Sequence, residues 1–211
     1  MSESPVRPGK IVCVGRNYLD HARELGNDVP TRPLLFLKPP SSVIASGAAI
    51  ELPSAEDSTH VDYEGEIGVV IGTRVRRADE ATAVRAVRGI VALNDVSARD
   101  LQQSEPQWLR AKGYDTFCPI GPESPAPDDL ASLTVVTRLN GAERQRGSAR
   151  EMAFAIPMLL AYISRVMTLE PGDVVATGTP AGVGRIAPGD VVEVEVVGHS
   201  TVSNPVIASV A

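Results

Sequence analysis

Short β-branched and aliphatic runs, each bounded by Gly, Pro, Asn or Asp, recur along the 211-residue chain. They fall at 10–14, 34–38, 47–52, 66–72, 89–96, 134–140, 173–177, 190–197 and 201–208. Runs of this length and residue type predict strands. Asn140-Gly141, set between VVTRL and ERQRG, predicts a tight hairpin, because a type I′ turn needs positive φ at both central residues and this pair tolerates it. Helical patterns are fewer. One covers 79–88 and is closed by Gly89; a second covers 148–167, opened by the capping-box pair Ser148 and Glu151. Pro157, inside that second pattern, either kinks the helix or marks its true start. PGDVV occurs at 171–175 and again at 188–192, a turn feeding a strand used twice rather than a solenoid repeat. Strands outnumber helices without alternating regularly with them, which predicts a β-rich α+β fold with a mixed or antiparallel sheet. No linker-like stretch divides the chain, so residues 1–211 are expected to form a single catalytic domain.

Composition narrows the classes. The chain is 43% apolar and 22% charged, ordinary for a globular protein with a full core. Its formal charge is −6 and its Lys and Arg residues are scattered, so a nucleic-acid partner is not expected. No stretch reaches the ~20 apolar residues of a membrane span, and MSESPVRPGK lacks the apolar centre of a secretory signal, which together predict a cytoplasmic protein. Cys13 and Cys118 sit in separate apolar runs without CxxC spacing and are expected to be buried and inert.

The candidate chemistry begins with HVDYEGEIGVVIG at 60–72. A strand period of two places Asp62, Glu64 and Glu66 on one face, with the last two ~7 Å apart along the chain. If buried, such carboxylates must either hold protons or share a cation, and a hard divalent ion suits oxygen ligands. If solvated, they form an unremarkable strand edge. Asp95, at the end of GIVALND, is a third acid that a strand would deliver to a cleft; periodicity alone does not bring it to the other two. His21 and Glu24 are one helical turn apart, suited either to activating water or to a surface pair. His60 and His199 have no such partner and read as structural or surface residues. GTPAGVG, 178–184, offers backbone N–H groups and the Thr179 hydroxyl to an anion, or serves simply as a turn. It has neither a Walker lysine nor a dinucleotide fingerprint.

In this order, GRNYLDHARE (15–24), FLKP (36–39), DYEGEIGVVIG (62–72), NDVSARDLQ (94–102), AKGYDTFCPIGP (111–122) and VVATGTPAGVG (174–184) resemble the fumarylacetoacetate hydrolase family, over about residues 10–197. The resemblance is to its short members, which act as acylpyruvate hydrolases, oxaloacetate decarboxylases or tautomerases, and hydroxymuconate isomerases. It implies the family's β-roll, a homodimer, and Mg²⁺ or Mn²⁺ held by Glu64, Glu66 and Asp95. It implies a His21–Glu24 dyad for water attack and Lys112 as the group that neutralises a developing enolate. Arg99, Gln102 and Thr179 match positions lining the substrate pocket, Asp62 falls outside the metal triad, and 102–110 matches a loop of variable length that would form part of a lid. The activity it implies first is hydrolysis of the C–C bond of a 2,4-dioxo acid through a metal-bound pyruvate enolate. Decarboxylation of oxaloacetate or oxo-acid tautomerisation at the same enolate site is the alternative, and a catalytically silent oxo-acid-binding module is a third reading.

Overall fold

The computed structural model describes residues 7–20 and 31–209. Ten strands carry the architecture: β1 (Ile11–Gly15), β2 (Leu34–Lys38), β3 (Val61–Tyr63), β4 (Gly65–Ile71), β5 (Val87–Asn94), β6 (Thr134–Leu139), β7 (Ala142–Ser148), β8 (Val174–Ala176), β9 (Val191–Val196) and β10 (Ser200–Ile207). Four helices are described: α1 (Glu80–Arg85), α2 (Arg99–Ser104), α3 (Leu109–Lys112) and α4 (Ile156–Val166). The strand-rich α+β expectation holds.

The main sheet runs Ser124–Pro125, β5, β4, β8, β1, β2, with only β1 and β8 parallel. Alternate residues of its strands enter two apolar clusters. Val12, Val14, Ile67, Val69, Ile90 and Val175 join the larger one with α4; Ile11, Cys13, Val70, Val91, Leu93 and Val174 join the smaller one with Cys118 and Ile120. Burial on both faces explains why these strands read as continuous apolar runs instead of alternating ones. The second sheet, β7-β6-β9-β10 and Ile50–Glu51, does alternate: β10 is buried at every other residue from Ser200 to Val206. The sheets touch at Gly65. A Cβ there would collide with the Thr137 hydroxyl and lie 3.2 Å from Val194 Cγ1, so the residue between the two glutamates has no room for a side chain.

Several boundaries differ from expectation. Asn140 and Gly141 do take positive φ, at 54° and 79°, and join β6 to β7. Of the 47–52 run only Ile50–Glu51 is strand, and Val43–Ile44, just before the run, is a separate two-residue strand in a different sheet. The helix expected over 79–88 stops at Arg85, and Gly89 lies within β5, facing Pro125 across the ladder. A Cβ at Gly89 would meet Ser124 O at 2.7 Å, so this glycine serves close strand packing, not helix termination. Ser148 and Glu151 do form a capping box, but it caps only the 3₁₀ turn Ala149–Glu151; α4 begins at Ile156, with Pro157 in its first turn. Residues 102–110 are not a loop throughout, since α2 and α3 leave only 105–108 between them.

Candidate metal and oxo-acid site

The chain breaks between β3 and β4 at Glu64, and β5 ends one residue before Asp95. Two hydrogen bonds close this junction: the Glu64 N–H donates to Asn94 Oδ1 at 3.0 Å and the Asp95 N–H donates to Glu64 O at 2.8 Å. The β4–β5 register pairs Gly65 with Asn94 and Glu66 with Leu93, so pairing of two mostly apolar strands delivers all three acids to one end of the sheet. Glu64, Glu66 and Asp95 are buried, at 5%, 2% and 0% exposure, and one oxygen from each lies within 4.8 Å of the others. The solvated-edge reading therefore fails.

Burying three carboxylates together is costly unless positive charge accompanies them. Three side chains supply it. Lys112 Nζ bridges Glu64 Oε2 at 2.7 Å and Asp95 Oδ2 at 2.6 Å; Lys38 Nζ donates to Asp95 Oδ1 at 2.6 Å and to Val96 O at 3.0 Å. Arg99 donates from Nη2 to Glu64 Oε1 at 2.6 Å, from Nη1 to Gln102 Oε1 at 2.5 Å and from Nε to Asp62 Oδ2 at 2.9 Å. Burial alone would favour neutral Lys112, yet the charges of Asp95 and Glu64 outweigh it and hold its pKa above the ordinary lysine value. Glu66 is less well compensated. Burial first, then the charges of Asp95 and Glu64, push its carboxyl well above the usual range, against the opposing pull of Lys112 and the Gly178 N–H.

The glycine-rich segment is part of this site in a different sense from an anion cradle. The Gly178 N–H donates to Glu66 Oε2 at 2.7 Å, and the Thr179 hydroxyl donates to Gly65 O at 2.9 Å while accepting from Gln145 Nε2 at 2.8 Å. Gly178 has φ of 97°, and a Cβ on it would stand 2.8 Å from Asn17 Cβ, so this approach to Glu66 needs glycine. The loop thus positions a carboxylate.

A cleft of about 350 Å³ opens over the acids, lined by Glu64, Glu66 and Asp95 together with Lys112, Arg99, Gln102 and Thr179. All seven expected site residues among those described come together there. His21 and Glu24 lie outside the described residues. The cleft is also lined by Arg16, Phe36 and Trp108, with Phe36 and Trp108 ring centroids 5.4 Å apart in edge contact and Lys112 Nζ 5.0 Å from the Phe36 centroid. These three lining residues were not singled out as site residues, although Arg16 and Phe36 stand inside quoted motifs and Trp108 is the sole tryptophan. Lys38 was also missed as an individual residue; a lysine within the apolar run LLFLK is the signal, since such a charge is buried only with a partner. Asp62 is not among the clustered acids, yet it is buried at 5% exposure and paired with Arg99, so it belongs to the site's support. His60, half exposed, has Nε2 2.9 Å from Asp62 Oδ1, and His199 Nδ1 lies 3.3 Å from Ser124 Oγ. Cys13 and Cys118 are buried free thiols, with Cys118 pushed up to about 12 by burial first of all.

The donor set is all oxygen, all carboxylate and already organised around cationic charge, which fits a hard divalent ion and excludes a thiolate or imidazole site built from the clustered residues. No described helix is long and apolar enough to cross a membrane.

Comparison with known proteins agrees with this geometry. The model of the fumarylacetoacetate (FAA) hydrolase C-terminal family matches residues 10–207. A mitochondrial oxaloacetate decarboxylase of Dictyostelium discoideum is 42% identical over 200 residues, covering 91% of this chain and 90% of that protein. A mitochondrial oxaloacetate tautomerase of Arabidopsis thaliana is 43% identical over 199 residues, covering 92% of this chain and 88% of the relative. Among solved structures, a 5-carboxymethyl-2-hydroxymuconate delta-isomerase from Mycobacterium smegmatis superposes with a TM-score of 0.89 at 42% identity, over 98% of this chain and 82% of that one. With its strand-rich fold, its buried acidic triad and a match spanning nearly the whole chain, this protein belongs to the fumarylacetoacetate hydrolase family.

Proposed function

We propose that this protein catalyses enolate chemistry on a small 2-oxo acid, and that keto–enol tautomerisation or decarboxylation of an oxaloacetate-like substrate is its reaction. The observation that carries this reading is Lys112: a buried ammonium bridging Glu64 and Asp95 at the floor of the cleft, held charged where an enolate oxygen would develop. The names of the Dictyostelium and Arabidopsis relatives favour it over acylpyruvate hydrolysis. Hydrolysis would need activated water, the task for which the resemblance implies His21 and Glu24.

The roles follow from chemistry. A divalent cation, Mg²⁺ or Mn²⁺, held by Glu64, Glu66 and Asp95, would supply positive charge beside the substrate's carboxylate and 2-oxo oxygen. Lys112, kept protonated, acts as a hydrogen-bond donor and charge stabiliser, not as a base. Gln102 gives its carbonyl oxygen to Arg99, which leaves its amide NH₂ to hold a substrate oxygen. In decarboxylation the C3–C4 bond breaks, its electron pair passes into the enolate, CO₂ leaves and C3 then takes a proton. In tautomerisation the C3 proton is exchanged for one on oxygen. Both need the same stabilised oxygen, so one site serves either.

The assembly is proposed as a homodimer. β2 is the outermost strand of the main sheet and exposes Leu34 and Leu37, with Leu109 exposed on the α3 helix packed against it, an edge that a second copy would cover.

The test is turnover of oxaloacetate and acetylpyruvate side by side with Mg²⁺, following enol absorbance, CO₂, pyruvate and acetate. Loss of oxaloacetate enol or release of CO₂, with little acetate from acetylpyruvate, supports the reading. Fast release of acetate and pyruvate from acetylpyruvate alone returns the assignment to hydrolysis.

A further inference from the structure

The cations paired with the buried acids are all committed. Lys38 is paired with Asp95, Lys112 with Glu64 and Asp95, and Arg99 with Glu64 and Asp62. Arg16, which also lines the cleft, has no carboxylate partner among the described residues, although it is half-buried. Its backbone is unusual as well, with φ of 60°, a left-handed conformation that costs a side-chain-bearing residue energy. The turn is fixed by its neighbour. Asn17 Nδ2 donates to Thr177 O at 2.8 Å and to Phe154 O at 3.1 Å, its Oδ1 accepts from the Phe154 N–H at 2.8 Å, and its carbonyl accepts from the Ala153 N–H at 2.7 Å. A turn in a costly conformation, pinned from two distant segments, thus holds at the cleft an arginine with no carboxylate partner among the described residues.

We propose that Arg16 receives the distal carboxylate of the substrate and so selects 2-oxo dicarboxylates over 2-oxo monocarboxylates. This rests on the oxo-acid reading of the same site. The charge balance agrees with it. With all four ionised, as the ligands of a divalent cation would be, Asp62, Glu64, Glu66 and Asp95 exceed Lys38, Lys112 and Arg99 by one negative charge. A divalent cation reverses that excess to one positive, which the carboxylate beside the oxo group cancels. A second carboxylate then enters unbalanced unless Arg16 meets it. Phe36 and Trp108 line the same cleft and offer no competing charge. A guanidinium also matches a carboxylate geometrically, through two parallel N–H donors.

The test separates the two layers. Malate and lactate, which differ by the distal carboxylate and do not enolise, are titrated calorimetrically into the Mg²⁺-loaded protein, alongside steady-state kinetics on oxaloacetate and acetylpyruvate. Arg16→Gly is the principal variant, because glycine adopts the observed φ without strain and the fold is kept. The expected result is a loss of malate affinity of about ten- to a hundredfold with lactate unchanged. In kinetics, KM for oxaloacetate rises similarly, kcat changes little and acetylpyruvate is unaffected. Arg16→Lys recovers part of the malate affinity. Equal loss for malate and lactate, or no loss for malate, overturns the proposal. If the wild-type protein turns over neither substrate, the oxo-acid reading fails by itself, while malate preference and its loss in Arg16→Gly still decide the role of Arg16.

Discussion

Along β4 and β5, the inner rungs set hydrocarbon against hydrocarbon, Ile67 facing Ala92 and Val69 facing Ile90. One step away the same ladder sets Glu66 against Leu93 and places Asp95 just beyond Asn94. Both stretches are fully buried, yet they are stabilised differently. The inner rungs gain from removing apolar surface from water, roughly 25 cal/mol per Å², wherever their partners sit. The outer rungs gain only when each charge meets its counter-charge at hydrogen-bond distance, as Lys38, Lys112 and Arg99 do. Apolar strands therefore fix the position of the site, and ion pairs fix its contents.

The sharpest way to break that contrast is to remove one counter-charge. Lys38→Met leaves Asp95 Oδ1 and Val96 O without their donor inside the protein and is expected to cost roughly 3–5 kcal/mol in denaturant unfolding. A cost below about 1 kcal/mol would mean that the pair contributes little. Lys112→Met should lower oxaloacetate turnover on the order of 10² to 10³ while leaving KM less affected, the pattern of a group that acts on developing charge.

Glu66 allows the contrast to be tested by pH. Its folded pKa is raised, so without a divalent cation it favours the fold below its ordinary pKa and loses that contribution as pH rises. Glu66→Gln, which stays neutral, should therefore melt above wild type at pH 7–8 in chelator, and the gap should close as the medium is acidified toward the ordinary carboxylate pKa. Added Mg²⁺ should reverse the order, because only the wild type gains a ligand. The smallest effect belongs to the inner rungs: Ile67→Val should cost roughly 0.5–1.5 kcal/mol of stability with kcat/KM unchanged.

The same division decides what was legible in the sequence. β2 was expected at 34–38 and occupies Leu34–Lys38, because Gly, Pro and Asn punctuation marks strand ends wherever packing agrees with it. Gly89 misled, since a glycine after a helical pattern signals a stop, whereas here it lets β5 pass close to Ser124. Glu64 and Glu66 were visible as a pair through their period of two. Their meeting with Asp95 was not, because it depends on a register between strands separated by the fifteen residues 72–86. Family resemblance supplied that link. Lys38 escaped individual notice, and Asp62 was noticed but set outside the site, because their importance lies in what they face, Asp95 and Arg99, and partners distant in sequence leave no local pattern.

The most direct test of the account is a titration of the protein with Mn²⁺, following free ion by electron paramagnetic resonance and oxaloacetate turnover in the same samples, for wild type and Glu64→Ala. The account predicts a single tight site in the wild type, turnover that rises with its occupancy and disappears with chelator, and neither binding nor turnover in Glu64→Ala. Turnover that persists in chelator, or a Glu64→Ala protein that still binds the ion and reacts, would contradict it.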